Sequence, residues 1–228
     1  MCPWENWRAT GLYFCEEALC GWVKQPGNSY SNAFYLVVAV LLWRRWRHTH
    51  PQLARQLILV SATIALGSFF LHASLTFAGE IADLTGMFFL SARLLLWNIE
   101  RYRRRPVSLP KLAYWTLALL PTGVMLALGS VGILLFQLEI AVLVLLEAAM
   151  WKRGDRIRYE RALATAGIFG LAYGLWWLDV LHGWCNPANH WISGHVLWHF
   201  LTAMSLLQIA EFYSQFLTQP NRNPSLLS

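Results

Sequence analysis

The chain has 228 residues, of which 57% are hydrophobic and only 13% charged, about half the charged share of an ordinary soluble domain. That balance argues against a soluble enzyme and for one domain embedded in lipid. The formal net charge of +6 does not indicate nucleic-acid binding, because 14 of the 18 Lys and Arg residues fall in three short segments, 44–55, 101–111 and 152–161, each between apolar runs.

Residues 1–29 hold Glu5, Arg8, Glu16, Glu17 and Lys24 and no long apolar run. They read as an ordered outer segment, not as a signal peptide. A helix crossing the hydrocarbon core needs about 20 mostly apolar residues. On that basis the stretch 30–217 predicts seven spanning helices, at 30–46, 55–77, 80–99, 111–128, 131–151, 160–182 and 191–214, with a tight turn at Gly129-Ser130. The polar residues 218–228 read as a mobile cytoplasmic tail. The predicted fold class is therefore all-α, a polytopic seven-helix membrane bundle. The basic segments follow helices one, three and five, whereas the outer loops near 78–79, 129–130 and 183–190 contain no Lys or Arg. Positive charge favours the cytoplasmic side, so the N-terminus is expected outside and the C-terminus inside. Many of the 13 Trp residues sit near the ends of apolar runs, where amphipathic rings favour the membrane interface.

With that topology, polar groups inside the helices can be compared by depth. Ionisable residues in a membrane are expensive and are functional candidates by default. Ser68 and His72 on helix two, Asp83 on helix three, and His195 and His199 on helix seven all fall within about 5–15 Å of the outer end at 1.5 Å per residue. Ser68/His72 and His195/His199 are both i,i+4 pairs, so each pair shares a helix face. Three imidazoles from two helices form a set suited to catalytic zinc, which commonly leaves its fourth position to water. The alternative for each His is an interhelical hydrogen bond; for Asp83 it is a helix cap or a partner that holds a His tautomer. Deeper in the bundle, Arg93 is expected to pair with Glu139 or Glu147. Asp179, near the outer end of helix six, is expected to support the polar layer.

All four cysteines, Cys2, Cys15, Cys20 and Cys185, fall outside in this topology, where disulfides persist. Either Cys15 or Cys20 is placed to tie the outer segment to Cys185, and sequence does not give the connectivity.

Four blocks of the chain resemble the alkaline ceramidases, part of a superfamily of seven-helix membrane hydrolases that also holds the progestin and adipoQ receptors and the hemolysin III proteins. The first block is F-C-E-E around Cys15 and Glu16, followed by N-S-Y-S-N at 28–32. The second is Gly67-Ser68 with His72. The third is Asp83 with Met87, and the fourth is Trp176-x-x-Asp179 followed by His195-x-x-Trp198-His199. The resemblance implies zinc held by His72, His195 and His199, Ser68 and Asp83 beside the metal's water, and a Cys15–Cys185 bridge. It also implies a calcium cluster in the outer segment of animal members. Here only Glu16 of that cluster matches, while Tyr13, Phe14 and Gln25 depart from it, which argues against a calcium ion.

The expected activity is zinc-dependent hydrolysis of ceramide or a related N-acyl lipid, with Asp83 handling the water's proton and Ser68 donating to the oxyanion. The alternative is a lipid-sensing receptor or membrane regulator of the same fold with a mainly structural zinc. Its short cytoplasmic loops leave little surface for signalling partners. A transporter would spread ionisable groups through the full depth, whereas these cluster at one face. The expected partners are the lipid bilayer and an N-acyl lipid, and the expected setting is a bacterial inner membrane with the site toward the outer face.

Overall fold

The computed structural model describes residues 2–154 and 157–217; the tail expected at 218–228 lies outside them. Among the described residues eight helices follow in order: α1 Pro26–Tyr30, α2 Ala33–Trp46, α3 Pro51–Ser74, α4 Phe77–Arg103, α5 Pro110–Leu128, α6 Gly132–Lys152, α7 Glu160–Val180 and α8 Gly194–Leu217. The fold is all-α. The long helices α2 to α8 occupy the seven stretches expected from sequence, and α1 is an extra turn at the end of the outer segment.

Four of them, α3, α5, α6 and α7, are long and apolar enough to cross a membrane. Helix α2 has 14 residues and is about 21 Å long, short of the roughly 30 Å hydrocarbon core. Helices α4 and α8 are long enough but carry polar residues, including Glu80, Asp83, Arg93 and Glu100 on α4 and His195, His199 and Glu211 on α8. Leu112, Leu120, Leu138, Leu145 and Leu171 are exposed on α5, α6 and α7, as lipid-facing helices require.

The helix ends have local causes. Helix α3 starts at residue 51 instead of 55 because Pro51 occupies its first turn, where a missing N–H costs nothing. It stops at Ser74 because Leu75 turns left-handed at φ 52°. The Thr76 hydroxyl then accepts from Gly79 N at 3.1 Å and caps α4. The turn expected at 78–79 therefore lies at 75–76. Gly129, at φ 89°, makes the turn from α5 to α6.

Helix α3 is central, packed against α2 and α4 and also touching α8; α5 and α6 lie on α4, and α7 on α8. The α3–α4 approach is close because Gly67 meets the Ala82 carbonyl and Gly86 meets the Ile64 backbone. Leu42, Leu53, Leu57 and Leu206 fill the core between α2, α3 and α8. By contrast, α6 and α7 barely touch.

Residues 2–25, the segment expected outside and called the outer segment for that reason, cover one end of the bundle. Two disulfides hold it, Cys2–Cys20 within the segment and Cys15–Cys185 to the α7–α8 connection. Lys24 N and Gln25 N donate to the carbonyls of Ala73 and His72 at 3.0 and 3.1 Å, so this strap runs along the end of α3. The buried Glu80 carboxylate accepts from Thr10 Oγ1, Gly11 N and Ser130 Oγ at 2.7–2.9 Å, joining the segment to α4 and the α5–α6 turn.

One expectation about the deeper charges is corrected. Arg93 does not pair with Glu139 or Glu147; its guanidinium lies 4.2 Å from the centroid of the Tyr114 ring on α5. Glu147 on α6 pairs with Arg101 at 2.6 Å, and Glu139 accepts from Ser91. The reason is helix phase: Ser91 and Arg101 face α6, whereas Arg93 faces α5, and a guanidinium is well satisfied over an aromatic face.

Candidate metal centre

His72 lies in the last turn of α3, and His195 and His199 lie in the first two turns of α8. The start of α8 is fixed by capping: Ser193 Oγ accepts from Val196 N at 3.1 Å, and Asp179 Oδ1 accepts from His195 N at 3.1 Å. The other oxygen of Asp179 accepts from Cys15 N at 2.9 Å. One buried carboxylate thus ties α7, α8 and the outer segment together. This is the supporting role expected of it, reached through backbone amides.

The three histidines are almost fully buried, and their potential ligand atoms lie within 4.8 Å of one another. His72 Nε2 and His195 Nε2 are 3.0 Å apart. Two nitrogens on a tetrahedral zinc, each at about 2.0–2.1 Å, would stand about 3.3 Å apart, so the spacing needs little adjustment. His195 Nδ1 is buried with no hydrogen-bond partner, an orphan that a hydrogen-bonded polar cluster should not leave. Three buried imidazoles whose ring nitrogens converge this closely fit a bound cation. Phe14 packs edge-on to His72 and His195 with centroids 4.6 and 4.5 Å away, closing the cluster on the side of the N-terminal segment.

Ser68 Oγ lies 3.3 Å from His199 Nε2, and Asp83 follows the Ala82 carbonyl that Gly67, next to Ser68, abuts on α4. Both Ser68 and Asp83 face a cavity of about 390 Å³ that also meets His195 and His199. All five polar residues singled out by depth and spacing are therefore in one place. Below them the cavity is mainly apolar, walled by Leu94, Ile140, Leu143 and Leu206, and it extends to Asn98 and Tyr213. Gln137 Nε2 of α6 donates to Tyr173 Oη of α7 at 2.5 Å across the poorly packed α6–α7 seam.

Sequence reasoning missed three residues that touch the histidines. Gln25 Oε1 is 2.9 Å from His72 Nδ1, and Ser31 Oγ is 2.7 Å from His199 Nδ1; Phe14 is the third. Gln25 entered the sequence reading only as a departure from a calcium cluster, and Phe14 as such a departure and as the first letter of F-C-E-E. Ser31 was visible only inside the N-S-Y-S-N string. The Glu16 carboxylate of that segment accepts from Gly27 N and Asn28 N at 2.9 and 2.8 Å and contacts His190 Nδ1 at 2.9 Å. Its oxygens are engaged by donors of the chain itself.

A family model described as Ceramidase matches residues 11–225. The match runs from the outer segment to beyond the end of α8 and takes in every residue of the cluster. The chain belongs to the ceramidase family, as its four sequence blocks imply.

Proposed function

We propose that this protein is a zinc-dependent amide hydrolase of the membrane that cleaves the N-acyl bond of ceramide or a related N-acyl lipid and releases a fatty acid. The observation that carries the reading is the junction of a three-imidazole cluster with a long apolar cavity, and Ser68 and Asp83 stand at that junction. A zinc ion held by His72, His195 and His199 would lower the pKa of water and polarise an amide carbonyl.

The chain's own residues supply the remaining chemistry. The Asp83 carboxylate takes the proton of the attacking water and returns it to the amide nitrogen as the C–N bond breaks. The Ser68 hydroxyl donates a hydrogen bond to the oxyanion on the tetrahedral carbon. Water adds to the carbonyl, and the products are a fatty acid and an amine. The acyl chain lies in the cavity, where the stretch of α8 from His199 to Tyr213 rises about 21 Å. The weakly packed α6–α7 seam gives a lipid a sideways route to the site.

The charge asymmetry of the loops supports seven spans, with the N-terminus and the site toward the outer face and the C-terminus in the cytoplasm. The test is incubation of purified protein with a panel of N-acyl lipids. The reading expects fatty-acid release from at least one long-chain member, abolished by Asp83→Asn. No release from any member by zinc-loaded protein would overturn it and favour the receptor alternative.

A further inference from the structure

We infer that Gln25 of the outer strap and Ser31 in the turn between α1 and α2 are positioning residues that lock His72 and His199 in the tautomer whose Nε2 is free to bind a metal. The inference rests on the metal-binding reading of the three histidines, but its starting point is the hydrogen-bond pattern alone.

The amide of Gln25 can be oriented without seeing a hydrogen. One end lies 2.6 Å from the Glu16 carbonyl oxygen, which can only accept, so that end must be the NH₂ group. The amide oxygen therefore faces His72 Nδ1 at 2.9 Å and also receives Asn28 Nδ2 at 3.3 Å. An amide oxygen has no proton to give, so His72 Nδ1 carries the proton and the lone pair of the neutral ring sits on Nε2.

Ser31 leads to the same result at His199. The Asn28 carbonyl, 3.0 Å from Ser31 Oγ, can only accept, and we assign the single hydroxyl proton to it. The Ser31 oxygen can then only accept from His199 Nδ1 at 2.7 Å. His199 Nε2 is left as the acceptor that Ser68 Oγ approaches at 3.3 Å. Both residues are buried, so neither bond competes with water.

The arrangement gives the outer segment a task beyond covering the bundle. His195 has no such partner on Nδ1, and its ring is held by Phe14 and by the capped start of α8. Two ligands are thus oriented from outside their own helices, by the strap and by the α1–α2 turn, and one by its own helix. Outer-shell partners of this kind fix the ring and raise ligand basicity, and their loss typically weakens metal binding by about 10–100-fold.

The direct test is ¹⁵N NMR of the histidine rings in metal-free wild-type protein. A proton on Nδ1 is expected for both His72 and His199, and a proton on Nε2 of both rings would overturn the inference. The second test is zinc competition against a chelator, together with the visible spectrum of the cobalt-loaded protein. Gln25→Met and Ser31→Ala should each weaken zinc binding about 10–100-fold and alter the cobalt spectrum, while Ser31→Thr restores both. Wild-type affinity in folded Gln25→Met and Ser31→Ala would sink this inference and leave the proposed function standing. A wild-type protein that binds no zinc would overturn both.

Discussion

Replacing Asp179 with alanine removes two hydrogen bonds to a fully buried carboxylate, from Cys15 N at 2.9 Å and from His195 N at 3.1 Å. A hydrogen bond to a charged group contributes about 1.5–3 kcal/mol, and a buried N–H left without a partner is penalised further. The expected loss is therefore about 3–6 kcal/mol for alanine. Asparagine keeps the shape but presents an NH₂ group to one of the two amides, so it should lose about half as much. For a chain of this size about 1 kcal/mol moves the midpoint by about 2–4 °C, so Asp179→Asn should melt roughly 3–12 °C lower in detergent. His195 stands on the loosened amide, so zinc affinity should fall in the same variants. Thermal melting of metal-free protein and chelator competition measure the two effects separately. Asp179→Ala that melts within about 1 °C of wild type and binds zinc equally would refute the reasoning.

Three further outcomes follow from the same geometry. Gly67→Val forces a side chain into the Ala82 carbonyl and should destabilise by about 1–3 kcal/mol or more, read as a lower midpoint with loss of zinc. Ile140→Trp fills part of the cavity wall, so hydrolysis of long-chain substrates should fall more than that of short-chain ones, while zinc content stays at the wild-type level. Cys185→Ser cuts the staple between the outer segment and the α7–α8 connection. It should release zinc faster in a chelator challenge than Cys20→Ser, which cuts a staple lying within the segment.

Much of the fold was legible because lipid imposes a simple rule on sequence. Long apolar runs and basic loops locate α3, α5, α6 and α7 with errors of a few residues, mostly at helix ends. Those errors come from chemistry outside hydropathy, such as Pro51 extending α3 forward and Leu75 ending it. The histidines were legible for a related reason. A polar group inside an apolar helix stands out, and helical rise converts its number into a depth. Arg93 shows where that logic stops, since depth does not give phase and the partner proved to be an aromatic ring. Gln25, Ser31 and Phe14 were not legible as neighbours of the histidines. Phe14 and Gln25 lie on an irregular strap without periodicity, whose path depends on the disulfides, Glu80 and backbone bonds to the end of α3, and Ser31 sits in the short turn between α1 and α2.

The account is tested most directly by titrating metal-free wild-type protein with zinc while following fatty-acid release from an N-acyl lipid. Activity should be absent without metal and rise in proportion to added zinc until one ion is bound per chain. Hydrolysis by the metal-free protein, or zinc bound at one per chain with no hydrolysis of any substrate, would contradict it.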